Sequence, residues 1–220
     1  MQKVQQFLTD LTKNNNKEWF QANKGQYQDA RNQFLAFTEI LINEIRSFDP
    51  SVPMQDPSKC VFRIYRDVRF SHDKRPYKTN FGAFISRGGR KSGYAGYYFH
   101  AEPDASFMGG GVYCPPPANL KAIRSEIYES PQEFIDLVSD KNFSKYYPEL
   151  YSEDKLKTAP KGFPKDWEHI DLLRYKHYVV AKKMTDKELV SPDLIEESIN
   201  AYRALYDFNS YLNECIDRHQ

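Results

Sequence analysis

The chain has 220 residues, 40% of them hydrophobic, with a formal net charge of +1 and a sequence pI near 7.7. This balance argues against general polyanion binding, so nucleic acid is not an expected partner, and the length and composition supply a core for one domain over 1–220. Cys60, Cys114 and Cys215 are widely spaced without a C-x-x-C pair, which disfavours a disulfide scaffold or a thiolate zinc site. No run approaches the roughly 20 apolar residues of a membrane span, and the first ten residues lack an apolar leader core, so a cytoplasmic protein with no membrane partner is expected.

Val4, Phe7, Leu8 and Leu11 stand at the spacing of one buried helical stripe, which Asn14 to Asn16 interrupt. A second helix is predicted from near Trp19 to about Ser47, because Tyr27, Ala30, Phe34, Phe37, Leu41, Ile45 and Phe48 recur in steps of three or four before Asp49-Pro50 ends it. Helices therefore fill 1–48. From Cys60 the period becomes two, and strands are predicted over Val61–Phe70, Asn80–Arg87, Tyr94–Glu102 and Ser106–Tyr113, an antiparallel sheet over 60–113 joined by turn-forming segments. Pro115 to Pro117 stop the sheet and open helices over 117–147, the second beginning at Ser130-Pro131-Gln132-Glu133, which has the form of a capping box. Tyr146 to Trp167 lacks a period and reads as a surface connection. A late strand over 172–183 and a C-terminal helix over 191–217, capped by Ser191, complete the chain. The fold class is α+β: an antiparallel sheet of about five strands with helices from both termini packed on it.

Arg63 to Lys78 sets six Lys or Arg against two Asp, a local balance of +4. In an extended chain Phe62, Ile64, Arg66, Val68 and Phe70 share one face, and Arg63, Tyr65, Asp67 and Arg69 the other. Arg66 is then alone on an apolar face, where its guanidinium needs carboxylates, carbonyls or an anion. Arg63, Asp67 and Arg69 are the more open set, able to position a phosphate or carboxylate, and Lys74, Tyr77 and Lys78 follow in a turn that can close over it. Arg174 and Lys176 share a face of the predicted late strand and extend the basic set. The competing explanation is internal: eight acids between Ser125 and Asp154 face two lysines, enough counter-charge for docking without a ligand.

His100 and Glu102 lie two apart on a predicted strand and point the same way as Tyr98. A neutral imidazole oriented by a carboxylate can act as general base, which makes these two the catalytic candidates, with hydrogen bonding alone as the alternative. Metal is not expected at the pair, since further ligands have no marked positions, and no cofactor motif is present. Gly109-Gly110-Gly111 matches no phosphate-binding pattern and is read as a bulge or a close strand approach.

Four stretches carry a resemblance: N-N-N-K-E-W-F-Q-A-N from Asn14, F-R-I-Y-R-D-V-R-F-S-H-D-K-R-P-Y-K-T from Phe62, G-Y-Y-F-H-A-E-P from Gly96, and K-G-F-P-K-D with L-L-R-Y-K further on. Together they resemble the bacterial and fungal family catalogued as domain of unknown function 2461, over nearly the whole chain. The sequence departs from the family's pattern at His72, where Lys is expected. The resemblance implies no assigned activity. Two expectations stand on the residues themselves: a site for a small anionic ligand, with binding alone or with enzymatic turnover, or a non-catalytic interaction or structural module whose basic strip meets an acidic protein surface.

Overall fold

In a computed structural model of the chain, which describes residues 1–219, the first apolar stripe is helix α1 (Gln2–Lys13), burying Val4, Phe7, Leu8 and Leu11. The second predicted helix is divided into α2 (Lys17–Ala22) and α3 (Lys24–Phe48) at Asn23. The Asn23 side-chain amide turns back to donate to Trp19 O at 2.8 Å, a carbonyl that also accepts from the Asn23 N–H at 3.0 Å. Asn16 caps α2, accepting from Trp19 N at 2.9 Å. Asp56 and Pro57 open the short α4 (Pro57–Cys60).

Strands β1 (Phe81–Ser86), β2 (Gly96–Ala101), β3 (Phe107–Val112) and β4 (Tyr178–Lys183) pair in that order in one antiparallel sheet. Between β3 and β4 lie α5 (Pro117–Glu129), α6 (Pro131–Ser139), α7 (Lys141–Tyr146) and α8 (Ile170–Leu173). After β4 come α9 (Asp186–Leu189) and α10 (Leu194–Asp217).

The sheet has four strands where about five were expected, because Val61–Phe70 does not form a ladder. It makes isolated bridges only, Val61 to Ala83 and Tyr65 to Tyr77. Asp67 and Asp73 accept from the backbone N–H of Arg69 and Arg75 at 3.3 and 3.0 Å, and these local turns compete with strand pairing. The late strand is shorter than predicted, since Leu172 and Leu173 belong to α8. The expected capping box at Ser130 is absent: the Ser130 N–H is already spent on Glu126 O at the end of α5, leaving Glu133 nothing to reach back to. The same device forms at Thr185, whose hydroxyl accepts from Glu188 N while Glu188 accepts from Thr185 N. The C-terminal helix starts at Leu194, three residues after its expected first residue.

The described residues form two compact units. The first comprises Met1–Ile85, Tyr98–Met108 and Lys183–Asn200. Its core is aromatic, with Phe7, Phe20, Phe34, Phe81 and Phe99 all buried, and Phe7 stacks on Phe81 at 6.2 Å. The second comprises Ser86–Tyr97, Gly109–Lys182 and the chain from Ala201. Phe134, Phe143, Tyr147, Tyr178 and Phe208 are buried there. Its glycines on β3 serve strand packing: a Cβ on Gly109 would lie 2.0 Å from Val180 O, and Gly111, at φ +104°, has Tyr178 O as close. Leu150 bridges to Val180, covering part of the β4 edge.

Candidate functional site

In the first unit, residues 61–79 run along β1 and fold back on themselves. Phe62 N donates to Gly82 O at 2.9 Å, Arg66 N to Pro76 O at 3.0 Å and Lys78 N to Ile64 O at 2.8 Å. The inside-outside alternation expected of a strand survives from Phe62 to Arg69, with Ile64 buried, Phe62, Arg66 and Val68 half-buried, and Arg63, Tyr65, Asp67 and Arg69 exposed. Phe70 breaks it, pointing outward at 95% exposure.

Arg66 is held within the fold-back, its Nη1 2.7 Å from Asp73 Oδ2 and donating to Arg75 O at 3.0 Å. Arg69 grips Asp67 through Nε at 2.9 Å and Nη2 at 2.7 Å, and Arg75 grips Asp73 in the same bidentate way. Hydrogen bonds from Arg69 hold the Asp67 carboxyl below its usual range, and those from Arg75, helped by Arg66, hold Asp73 far below it. The two aspartates therefore stay charged and fix three guanidinium groups. Lys74 donates to Val68 O at 3.1 Å, Arg63 is exposed, and the Lys78 ammonium sits 5.5 Å from the centre of the Phe62 ring. Tyr77 is buried, stacked on Phe20 at 4.0 Å, with its backbone gripped at both N–H and C=O by the Asn15 amide.

Strand alternation puts Tyr97, Phe99 and Ala101 into the core and turns Tyr98 and His100 to the opposite face, with Glu102 just beyond the strand end. These three make a chain. Tyr98 OH lies 2.9 Å from His100 Nδ1, His100 Nε2 lies 2.9 Å from Glu102 Oε2, and Thr79 donates to Glu102 Oε1 at 2.5 Å. A neutral imidazole protonated on Nε2 satisfies every member: the phenol donates to Nδ1 and Nε2–H donates to the carboxylate. Ser106 anchors Glu102 by accepting from its N–H and donating to its carbonyl.

His100 is largely buried and lies flat on Phe107, with ring centres 4.6 Å apart. Burial lowers its pKa, the Glu102 carboxylate opposes that, and the charge of Lys78 lowers it further, so the net shift is downward. Gly82 makes room for Tyr98, because a Cβ there would stand 2.7 Å from the phenolic oxygen. The fold thus brings Lys78 and Thr79, from the basic segment, to His100 and Glu102, 22 or more residues further on. The Glu102 charge also reaches Arg75. Chemically, His100 can exchange a proton through Tyr98 while Glu102 holds its tautomer.

Arg174 and Lys176 belong to the second unit. Arg174 follows α8 and pairs with Asp171 at 2.6 Å, and Lys176 lies 3.9 Å from Asp154. They are not on a strand, so the shared face expected for them does not exist. The acidic segment has partners within its own unit: Glu126 pairs with Arg218 and lies 2.9 Å from His219 Nε2, and Asp154 accepts a hydrogen bond from His177. His177 and Asp154 are 23 residues apart, and spacing gave no sign of them. Among the described residues no three His, Cys, Asp or Glu side chains are grouped as a metal site, and no helix is long and apolar enough to cross a membrane.

No curated protein and no solved structure matches the chain. A family model described as a conserved hypothetical protein (DUF2461) matches residues 3–211, nearly the whole length, and the chain belongs to that family.

Proposed function

We propose that the first unit binds a small anionic ligand, a phosphate or carboxylate compound, with the basic segment 63–78 supplying the positive field and His100 with Glu102 supplying a proton donor and acceptor. The observation that carries this reading is the approach of Lys78 and Thr79 to the Tyr98, His100 and Glu102 chain. Lys78 disfavours the imidazolium, so an anion that neutralises Lys78 removes that penalty and draws a proton onto His100. Anion binding and His100 protonation are then coupled, and affinity rises as pH falls. Arg63 and Arg75 lie on the same segment, Arg75 oriented in advance by Asp73, which lowers the ordering cost of a bidentate contact.

A second reading, a basic strip that meets an acidic protein surface, is favoured by Phe70, exposed beside Arg69 at the end of the fold-back. One experiment separates the two. Thermal shift is measured at low salt against phosphorylated and carboxylated metabolites, at about pH 6 and about pH 8. The ligand reading expects a stabilising compound whose effect is larger at the lower pH and lost in Lys78→Ala. If no compound stabilises the protein, while an acidic protein recovered from lysate is lost with Phe70→Ala, the ligand reading fails and the second stands.

A further inference from the structure

The bridge between Val61 and Ala83 puts Val61 on the core side of β1 and turns Phe62 to the opposite face, where Tyr98 and His100 lie. Gly82 accepts from Phe62 N at 2.9 Å and, lacking a Cβ, leaves room for the Tyr98 phenol, so no side chain separates the two rings. They meet edge to face with centres 6.2 Å apart. Phe107, at the start of β3, lies 5.5 Å from Tyr98 and stacks on His100 at 4.6 Å. A row of rings thus crosses this face of the sheet. Phe62, Tyr98 and Phe107 are each half-buried, whereas Phe81 and Phe99 on the core side are buried. The Lys78 ammonium stands 5.5 Å from the Phe62 ring centre, and the Tyr98, His100 and Glu102 chain runs through the row.

We infer that the ligand of this site is an aromatic anion, an aryl phosphate or aryl carboxylate, whose charge meets Lys78 and whose ring packs on Phe62, Tyr98 and Phe107. The inference rests on the anion-binding reading given above and adds the class of compound. An anion without a ring satisfies the ammonium and leaves the half-buried rings in water. A ring beside the anion covers them, and burial of that apolar area is favourable. Planarity adds to this. An aromatic ring has a negative face and a positive edge, so it can meet the row offset or edge-on and gain beyond the area it buries, where an aliphatic group of similar size gains area alone.

The test follows the His100 side-chain and Phe62 ring NMR signals of the full-length chain during titration with phenyl, cyclohexyl and methyl phosphate, and in a second series with benzoate, cyclohexanecarboxylate and acetate. In at least one series the aromatic member should move both signals. It should bind about tenfold more tightly than the methyl-bearing member and about threefold more tightly than the cyclohexyl one, which has similar bulk without a flat ring. In Phe62→Leu, with its fold checked by the backbone amide spectrum, the aromatic and cyclohexyl members should bind within about twofold of each other. A variant that does not fold leaves the decision to the wild-type ratios. If anions bind at His100 and the aromatic member has no advantage over the cyclohexyl one, or keeps it in Phe62→Leu, the aromatic class is overturned and the anion site stands. If no compound of either series moves the His100 signal, the anion site fails and the aromatic class with it.

Discussion

His100 in the first unit and His177 in the second each give an Nε2 proton to a carboxylate, Glu102 at 2.9 Å and Asp154 at 3.0 Å, and each turns Nδ1 toward a donor. For His100 that donor is the Tyr98 hydroxyl; for His177 it is the backbone N–H of Cys114. A hydroxyl can rotate away, accept another hydrogen bond or take part in proton relay, whereas a peptide N–H is fixed in its plane and only donates. The first imidazole is therefore available for proton chemistry, and the second is committed to holding backbone. Two histidines with the same kind of partner on Nε2 thus have different capacities, and the donor at Nδ1 makes the difference.

The comparison breaks most severely at Gly82. An added methyl in Gly82→Ala would press on the Tyr98 oxygen, so we expect a loss of about 1–3 kcal/mol in urea unfolding together with a changed His100 side-chain NMR signal. An unchanged signal would mean that Tyr98 does not govern Nδ1. The counterpart in the second unit is His177→Ala, which leaves the Cys114 N–H without its acceptor and should cost about 1–2 kcal/mol. The His100 signal should not move in that variant. If it does, the two pairs are coupled, and their treatment as independent fails.

The smallest effect sharpens the comparison through pH. His100 has a lowered pKa in the folded chain, so below its ordinary value of about 6.5 the unfolded chain takes up a proton that the folded chain refuses. Its contribution to stability is complete above that value and is lost as pH falls toward the lowered folded pKa. In Lys78→Ala the folded pKa moves back up, so the loss between about pH 7 and pH 5 should shrink by a few tenths of a kcal/mol. Unfolding curves across that range, with wild type and variant having equal slopes, would remove Lys78 from the electrostatics of the site.

Much of the architecture was legible locally. The stripe Val4, Phe7, Leu8 and Leu11 and the period from Ala30 to Ile45 became buried helix faces because amphipathic spacing alone decides which side of a helix avoids water. The alternation from Phe62 to Arg69 correctly divided inward from outward side chains and still misled on strand pairing. Alternation records exposure, while a ladder also requires a partner backbone, and here Asp67 and Asp73 draw backbone N–H groups into local turns. His100 and Glu102 could be paired on paper because two residues apart on a strand means one face. Nothing local pairs Thr79 with Glu102, His177 with Asp154, or Asn15 with Tyr77.

What can be read without coordinates is thus the α+β class, the helix faces, the family likeness and the Arg63 to Lys78 charge cluster, all properties of neighbours within a turn or a few strand residues. What required the tertiary structure is the company each group keeps. The fold-back at Ile64 and Lys78 carries a cation to His100, Gly82 seats Tyr98 against the imidazole, and His177 reaches Cys114 from 63 residues away. Such contacts depend on chain reversals and on the packing of distant segments, whose entropic cost is met only when the whole unit is assembled.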